Sequence, residues 1–207
     1  MAFVEHYYTK FEEDRFYHIY NRSIDKKPLF CNDANYVYFL KKFAFYLSPV
    51  LDTYAYCLLS NHFHLLVRIK DLTTFKKLSN LPENKSTHEI ISHQFRKFFQ
   101  CYALSFNKQQ NRTGTLFQTP FKRALVNDDR YFGSLIYYIH ANPEIHHLIE
   151  DFREWKWSSY HSILIEKQTQ LKKEEVIKWF GNKQQFEKYH YEKHEITQEE
   201  RKFLDDD

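Results

Sequence analysis

A chain of 207 residues, 43% of them hydrophobic, is long enough to bury a proper core, and no apolar run approaches the length of a membrane-spanning helix. With only 3 glycines and neither a GxGxxG nor a GxxxxGKS/T pattern, the Gly-rich phosphate loops are excluded. The formal charge of +3 is a weak pull toward an anionic partner rather than a basic tail, and the excess of Lys and Arg lies before Ile165.

Aromatic content is high, with 16 Tyr and 20 Phe. Rings beside Lys and Arg suit stacking on unpaired bases, although most of them must be core. Cys31, Cys57 and Cys101 are widely spaced and form no CxxC pair. Neither a disulfide framework nor a thiolate zinc site is indicated, and a reduced cytoplasmic setting is expected. MAFVEHYYTKFEED carries no signal-peptide apolar stretch, so a soluble protein without a membrane partner is expected.

The first element, RFYHIYNRSI at Arg15–Ile24, alternates and reads as a strand that Pro28 punctuates. Asn32 and Asp33 then cap a helix to about Leu47, with Tyr36, Phe39, Leu40 and Phe43 as its buried stripe and Pro49 beyond its end. Thr53–Leu59 reads as a second strand, joined through Ser60 to a third, NHFHLLVRI at Asn61–Ile69. The two are expected to form an antiparallel hairpin. Asp71–Thr87 is polar and reads as irregular. A long helix follows to about Asn107, with Ile91, Phe95, Phe98, Tyr102 and Leu104 in near-helical rhythm.

After a polar turn ending at Gly114, Thr115–Val126 is a further extended segment interrupted by Pro120. Asn127 and Asp128 cap a third helix, DDRYFGSLIYYIHAN, that Pro143 is expected to stop. The order β-α-β-β-α-β-α predicts an α+β, ferredoxin-like fold: a central antiparallel sheet with helices on one face. Residues 1–165 read as the main domain. Residues 166–207 form a small C-terminal helical appendage, docked rather than independent, with helical patterns at Lys173–Phe180 and Lys183–His194.

Two residues in the third strand carry chemistry. His62 and His64 stand at i and i+2, so on a strand their imidazoles share one face while Phe63 enters the opposite layer. Such a pair can chelate one divalent ion, and it equally suits a strand edge facing solvent. On the third helix, Phe132, Leu135, Ile136 and Ile139 form the apolar stripe, with Tyr138 and Asn142 together on one flank and Tyr137 on the other. A metal ion held by His62, His64 and Asn142 with Tyr138 beside it suits phosphodiester cleavage, in which Mg²⁺ or Mn²⁺ polarises a phosphate oxygen and a tyrosine attacks phosphorus. Taken singly, Tyr138 is also a half-buried ring, and Asn142 also a helix-terminal residue before Pro143.

NHFHLL, NRTGTLFQ, YIHANP and WSSY, in this order between about Phe16 and Tyr160, resemble the single-tyrosine HUH transposases, and within them the REP-associated tyrosine transposases. The resemblance implies an HUH fold and metal-dependent cleavage of single-stranded DNA next to a hairpin. A 5′-phosphotyrosine and a free 3′-OH are then expected, with His62 and His64 as the HUH pair, Tyr138 as nucleophile and Asn142 as third ligand. Three positions depart from the family: Ser60 where Pro is common, Ser23 where NRG is usual, and NPEIHHLIED in place of a Lys-containing run.

Arg22, Arg112, Lys122 and Arg123 are candidates to track the DNA backbone, and Trp157 and Tyr160 to stack on bases, each also readable as surface charge or core. His140 reads as structural. The alternatives are a catalytically idle DNA or RNA hairpin-binding module and a metal-dependent hydrolase. The hydrolase lacks both an HxHxDH motif and a second HxT/S. A homodimer is left open, because related transposases swap the tyrosine helix between subunits.

Overall fold

The computed structural model describes residues 9–205, including the side chains of all except 129, 130 and 197–205. Four strands, β1 (Phe16–Arg22), β2 (Leu51–Leu58), β3 (His62–Ile69) and β4 (Lys122–Val126), form one antiparallel sheet in the order β2-β3-β1-β4. Helix α1 (Asp33–Leu47) lies between β1 and β2, and α2 (Thr73–Leu78) and α3 (Thr87–Gln109) lie between β3 and β4. That is the ferredoxin-like βαββαβ arrangement, followed by α4 (Asp129–Ile145), α5 (Tyr160–Leu164), α6 (Lys173–Phe180) and α7 (Lys183–Asp205).

The caps explain where helices begin. Asn32 accepts from the Asn35 amide at the start of α1. Helix α3 begins at Thr87, as the sequence suggested, with Ser86 as its N-cap in a reciprocal capping box with Glu89. Along α3 the buried stripe runs Phe95, Phe98, Tyr102, Phe106. Leu104 is 72% exposed, a correction to its expected place in the core: it lies 200° round the helix from Tyr102. The short helix α2 was not anticipated. It starts where Asp71 accepts from the Thr73 amide.

Two cores sandwich the sheet. Tyr17, Ile19, Phe63, Leu65 and Val67 point into one, under α1 and α3, where Phe39 packs on Phe63, Phe98 and Tyr102. Leu66, Ala55, Cys57 and Val126 point into the other, under α4. The expectation of helices on one face therefore holds for α1 and α3, while α4 covers the second face. Val176 of α6 and Phe186 of α7 are fully buried in that second core.

Pro143 does not stop α4, which runs on to Ile145. Proline removes one backbone donor, but the His146 amide still reaches the Asn142 carbonyl at 3.0 Å, so the turn survives. That extra turn brings His146 to the site.

Candidate active site

Register fixes which side chains meet. His62 pairs with Arg22 and His64 with Tyr20 across β1–β3, and Lys122 pairs with Tyr20 across β1–β4. Paired residues share a face, so Arg22, Tyr20, His18 and Lys122 stand beside the two histidines on the α4 side. A cleft of about 410 Å³ opens there, lined by Tyr20, Asn21, Arg22, Lys26, His62, His64, Gln118, Lys122, Tyr138 and His146.

Both histidines are buried, at 6% and 5% exposure, and each has its Nδ1 occupied. His62 Nδ1 donates to Asn61 Oδ1 at 2.7 Å, which leaves Nε2 as the free lone pair. His64 Nδ1 lies 2.9 Å from His18 Nε2, leaving its own Nε2 for a ligand. Burial, with Arg22 and His146 adding repulsion, pushes the His62 pKa down to about 3. Burial and the neighbouring histidines hold His64 well below the ordinary range, and burial brings His18 down to about 4. All three imidazoles are neutral at pH 7, the form that binds a metal.

Tyr138 projects from α4 with its ring edge-on to His64 at 5.6 Å and to His18 at 6.1 Å. It is 39% exposed and lines the cleft. One turn on, Asn142 is fully buried, with its Nδ2 donating to the Tyr138 carbonyl at 2.7 Å. A further turn on, His146 meets the His62 ring at 4.7 Å. The flank Tyr138–Asn142–His146 therefore faces the HUH pair of its own chain.

Two polar atoms there have no hydrogen-bond partner although buried: His62 Nε2 and Asn142 Oδ1. An unsatisfied buried acceptor costs about 1–3 kcal/mol, and two on facing elements fit a cation between them. Among the described residues no three His, Cys, Asp or Glu side chains cluster closely enough to hold a metal. The amide oxygen of Asn142 is a donor of another type, buried without a partner on the helix that faces the two histidines. The donor set of two imidazoles and an oxygen fits a divalent ion.

The remaining candidates divide. Arg22 and Lys122 line the cleft, where the Lys122 ammonium stands 5.6 Å from the Tyr20 ring. Arg123 pairs with Ile19 and so faces the other core, where its Nε donates to the Thr9 carbonyl at 2.7 Å, between Phe11 and Phe121. Arg112 is tied to its own loop, donating to Asn107 Oδ1 and the Thr115 carbonyl. Trp157 stacks on Tyr36 at 4.4 Å, and Tyr160 is buried between α4 and α7 beside His140 and Phe186. These four side chains are engaged in packing and loop-holding contacts rather than lining the cleft. His18, Asn61 and His146 were missed; the β1–β3 register reveals His18 and the continuation of α4 reveals His146, while Asn61 holds the His62 ring from the adjacent position in sequence.

His18 orients His64 as an outer-shell partner orients a metal ligand. Replacing it, as His18→Leu, is expected to lower the affinity for Mn²⁺ about 10–100-fold. Titration calorimetry at pH 7.5 checks this, and an unchanged affinity would remove His18 from the site.

No family model matches the chain. It is 29% identical over 116 residues to a Haemophilus influenzae protein described as a putative REP-associated tyrosine transposase, a match covering 53% of this chain. The match spans 59% of that relative's length. A solved structure of a REP-associated tyrosine transposase bound to a REP hairpin aligns with TM-score 0.55 and 13% identity. That alignment covers 75% of this chain and 82% of the other, and it is a likeness of fold. No helix among the described residues is long and apolar enough to cross a membrane. In sequence and in fold, the chain resembles the REP-associated tyrosine transposases.

Proposed function

We propose that this chain is a divalent-metal-dependent strand transferase that cleaves single-stranded DNA beside a hairpin through a 5′-phosphotyrosine. One observation carries the reading: Tyr138 stands against His64 in the cleft that His62 also lines, while His62 Nε2 and Asn142 Oδ1, the latter one turn along α4 from Tyr138, are both buried without partners. The sequence relative and the hairpin-bound fold neighbour support the same class of substrate.

His62, His64 and Asn142 would hold Mg²⁺ or Mn²⁺, and when bound such an ion polarises a non-bridging phosphate oxygen and orients the leaving group. The chain's own residues do the rest. Arg22, Lys26 and Lys122 at the cleft give cationic contacts along the strand, so binding weakens as salt rises. The Tyr138 hydroxyl releases its proton to solvent, and its oxygen forms a bond to phosphorus. The bond from phosphorus to the 3′ oxygen breaks, and that oxygen takes a proton from water to leave as a 3′-OH. The phosphotyrosine keeps the bond energy, so attack by another 3′-OH rejoins strands without a nucleotide cofactor. Because Tyr138 meets its own chain's histidines, one chain holds both halves of this chemistry.

The test uses 3′-labelled single-stranded oligonucleotides carrying imperfect hairpins from around the gene, incubated with Mn²⁺ and run on denaturing gels. Label linked to wild-type protein, lost with EDTA and absent with Tyr138→Phe, is the expected result. Tight hairpin binding without any cleavage would instead establish an idle binding module. Cleavage without a protein link would establish a hydrolase.

A further inference from the structure

Helix α4 presents Tyr138 and Asn142 on one flank, and its opposite flank is held by α7 through polar contacts that the chemistry does not use. His140 Nδ1 lies 2.9 Å from His190 Nε2, and His140 Nε2 lies 2.8 Å from Ser159 Oγ. His190 Nδ1 lies 2.8 Å from the Phe186 carbonyl, and Ser159 Oγ accepts from the Tyr56 amide at 2.9 Å. His140, His190 and Ser159 are all fully buried.

The direction of this chain is forced. A carbonyl only accepts, so His190 Nδ1 carries the proton, and in a neutral ring its Nε2 then accepts. His140 Nδ1–H therefore donates to His190, and His140 Nε2 accepts from the Ser159 hydroxyl. Each ring nitrogen is used once, Ser159 Oγ both accepts and donates, and four segments are joined: β2 at Tyr56, the Ser159 turn, α4 and α7. Two flanking contacts repeat the pairing of α4 with α7, Ser134 Oγ to Tyr189 Oη at 3.2 Å and Glu144 Oε1 to His194 Nδ1 at 3.6 Å.

We propose that α7 positions the tyrosine helix, with His190 acting through His140 to set the rotation of α4 that holds Tyr138 against His64. His140 and Tyr138 are two residues apart, about 200° round the helix, so a turn of α4 that frees His140 from His190 carries Tyr138 off the histidines. A rotation of about 30° on a helix is enough to displace a side-chain tip from a reacting geometry that tolerates only about 0.5 Å. His190 is thus a positioning residue for the proposed tyrosine chemistry, on which this inference rests, and it touches neither metal nor DNA.

The experiment needs no activity to be decisive. 3-Fluorotyrosine is incorporated at Tyr138, and its ¹⁹F resonance is compared between wild type and His190→Leu at a temperature where circular dichroism shows both folded. The ring currents of His64 and His18 are expected to give wild type a single displaced resonance. In His190→Leu it is expected to move toward the solvent-exposed position or to split, and His190→Gln, which keeps an acceptor and a donor, is expected to restore it. Should His190→Leu fail to fold, Tyr189→Phe, which removes only the hydroxyl beside Ser134, is read in the same way and a smaller displacement is expected. An unchanged resonance in a folded variant overturns the proposal. Where wild type forms the covalent complex, His190→Leu is expected to form it 10–100-fold more slowly with hairpin affinity within twofold. Equal losses in rate and binding would also overturn it. A wild type without covalent chemistry removes the strand-transferase reading, while the fluorine comparison still decides whether α7 sets Tyr138.

Discussion

Alanine at His62 or His64 is expected to reduce covalent DNA attachment by at least about 10³-fold while leaving hairpin affinity within a few-fold. The two effects separate because they arise from different contacts. Cation-mediated polarisation of the phosphate is worth several kcal/mol in the transition state, and 4 kcal/mol corresponds to about 10³ in rate. In the proposed reading, binding of the strand would rest on phosphate contacts from Arg22, Lys26 and Lys122, which line the cleft and which the alanines do not touch.

A second readout makes this prediction independent of activity. A ligand that binds only the folded chain stabilises it by about 2.7 kcal/mol at a hundredfold excess over Kd. Wild type is therefore expected to unfold at higher urea with Mn²⁺ than with EDTA, and His62→Ala and Asn142→Ala to show no such difference. The buried and partnerless His62 Nε2 and Asn142 Oδ1 are the reason. If both variants kept the full Mn²⁺ response, the metal would sit elsewhere and these atoms would be unsatisfied for another cause.

Much of this site was legible because it rests on local periods. Two residues along a strand return a side chain to the same face, which put His62 with His64. Four residues along a helix return it to the same flank, which put Tyr138 with Asn142. Nothing local says which strand lies beside β3. The pairing of His18 and Tyr20 with Leu66 and His64 is a long-range register, and with it came the partner of His64. The same register separates Lys122 from Arg123. Alternation says that only one of the two can face the histidines, but not which one. The surroundings of Tyr160 were hidden for a different reason: they depend on α7 folding back over α4, and Phe186 and His190, which enclose it, lie more than twenty-five residues further on. Leu104 could have been placed from the sequence, since Phe95, Phe98, Tyr102 and Phe106 make the better helical stripe.

The buried histidine chain carries the second large expectation, a loss of stability in mild acid. Burial lowers the His190 pKa from 6.5 to about 4, partly offset by its bond to the Phe186 carbonyl, and holds His140 well below the ordinary range. In the unfolded chain both titrate near 6.5. Between 6.5 and 4 the unfolded state thus binds more protons than the folded one, so stability is full above 6.5 and falls as pH drops through this window. For His190 alone the loss approaches about 3 kcal/mol near pH 4, at about 1.4 kcal/mol per pH unit for each proton. The structural cause is direct: a proton on His190 Nε2 would face the His140 Nδ1–H, setting two donors against each other in a site without water access. Urea unfolding of the metal-free protein from pH 7.5 to 4.5 checks the slope, and His190→Gln is expected to flatten it by about one proton. A slope unchanged by that substitution would mean that His190 takes up its proton in the folded state, and that the buried chain reverses its hydrogen bonds rather than breaking.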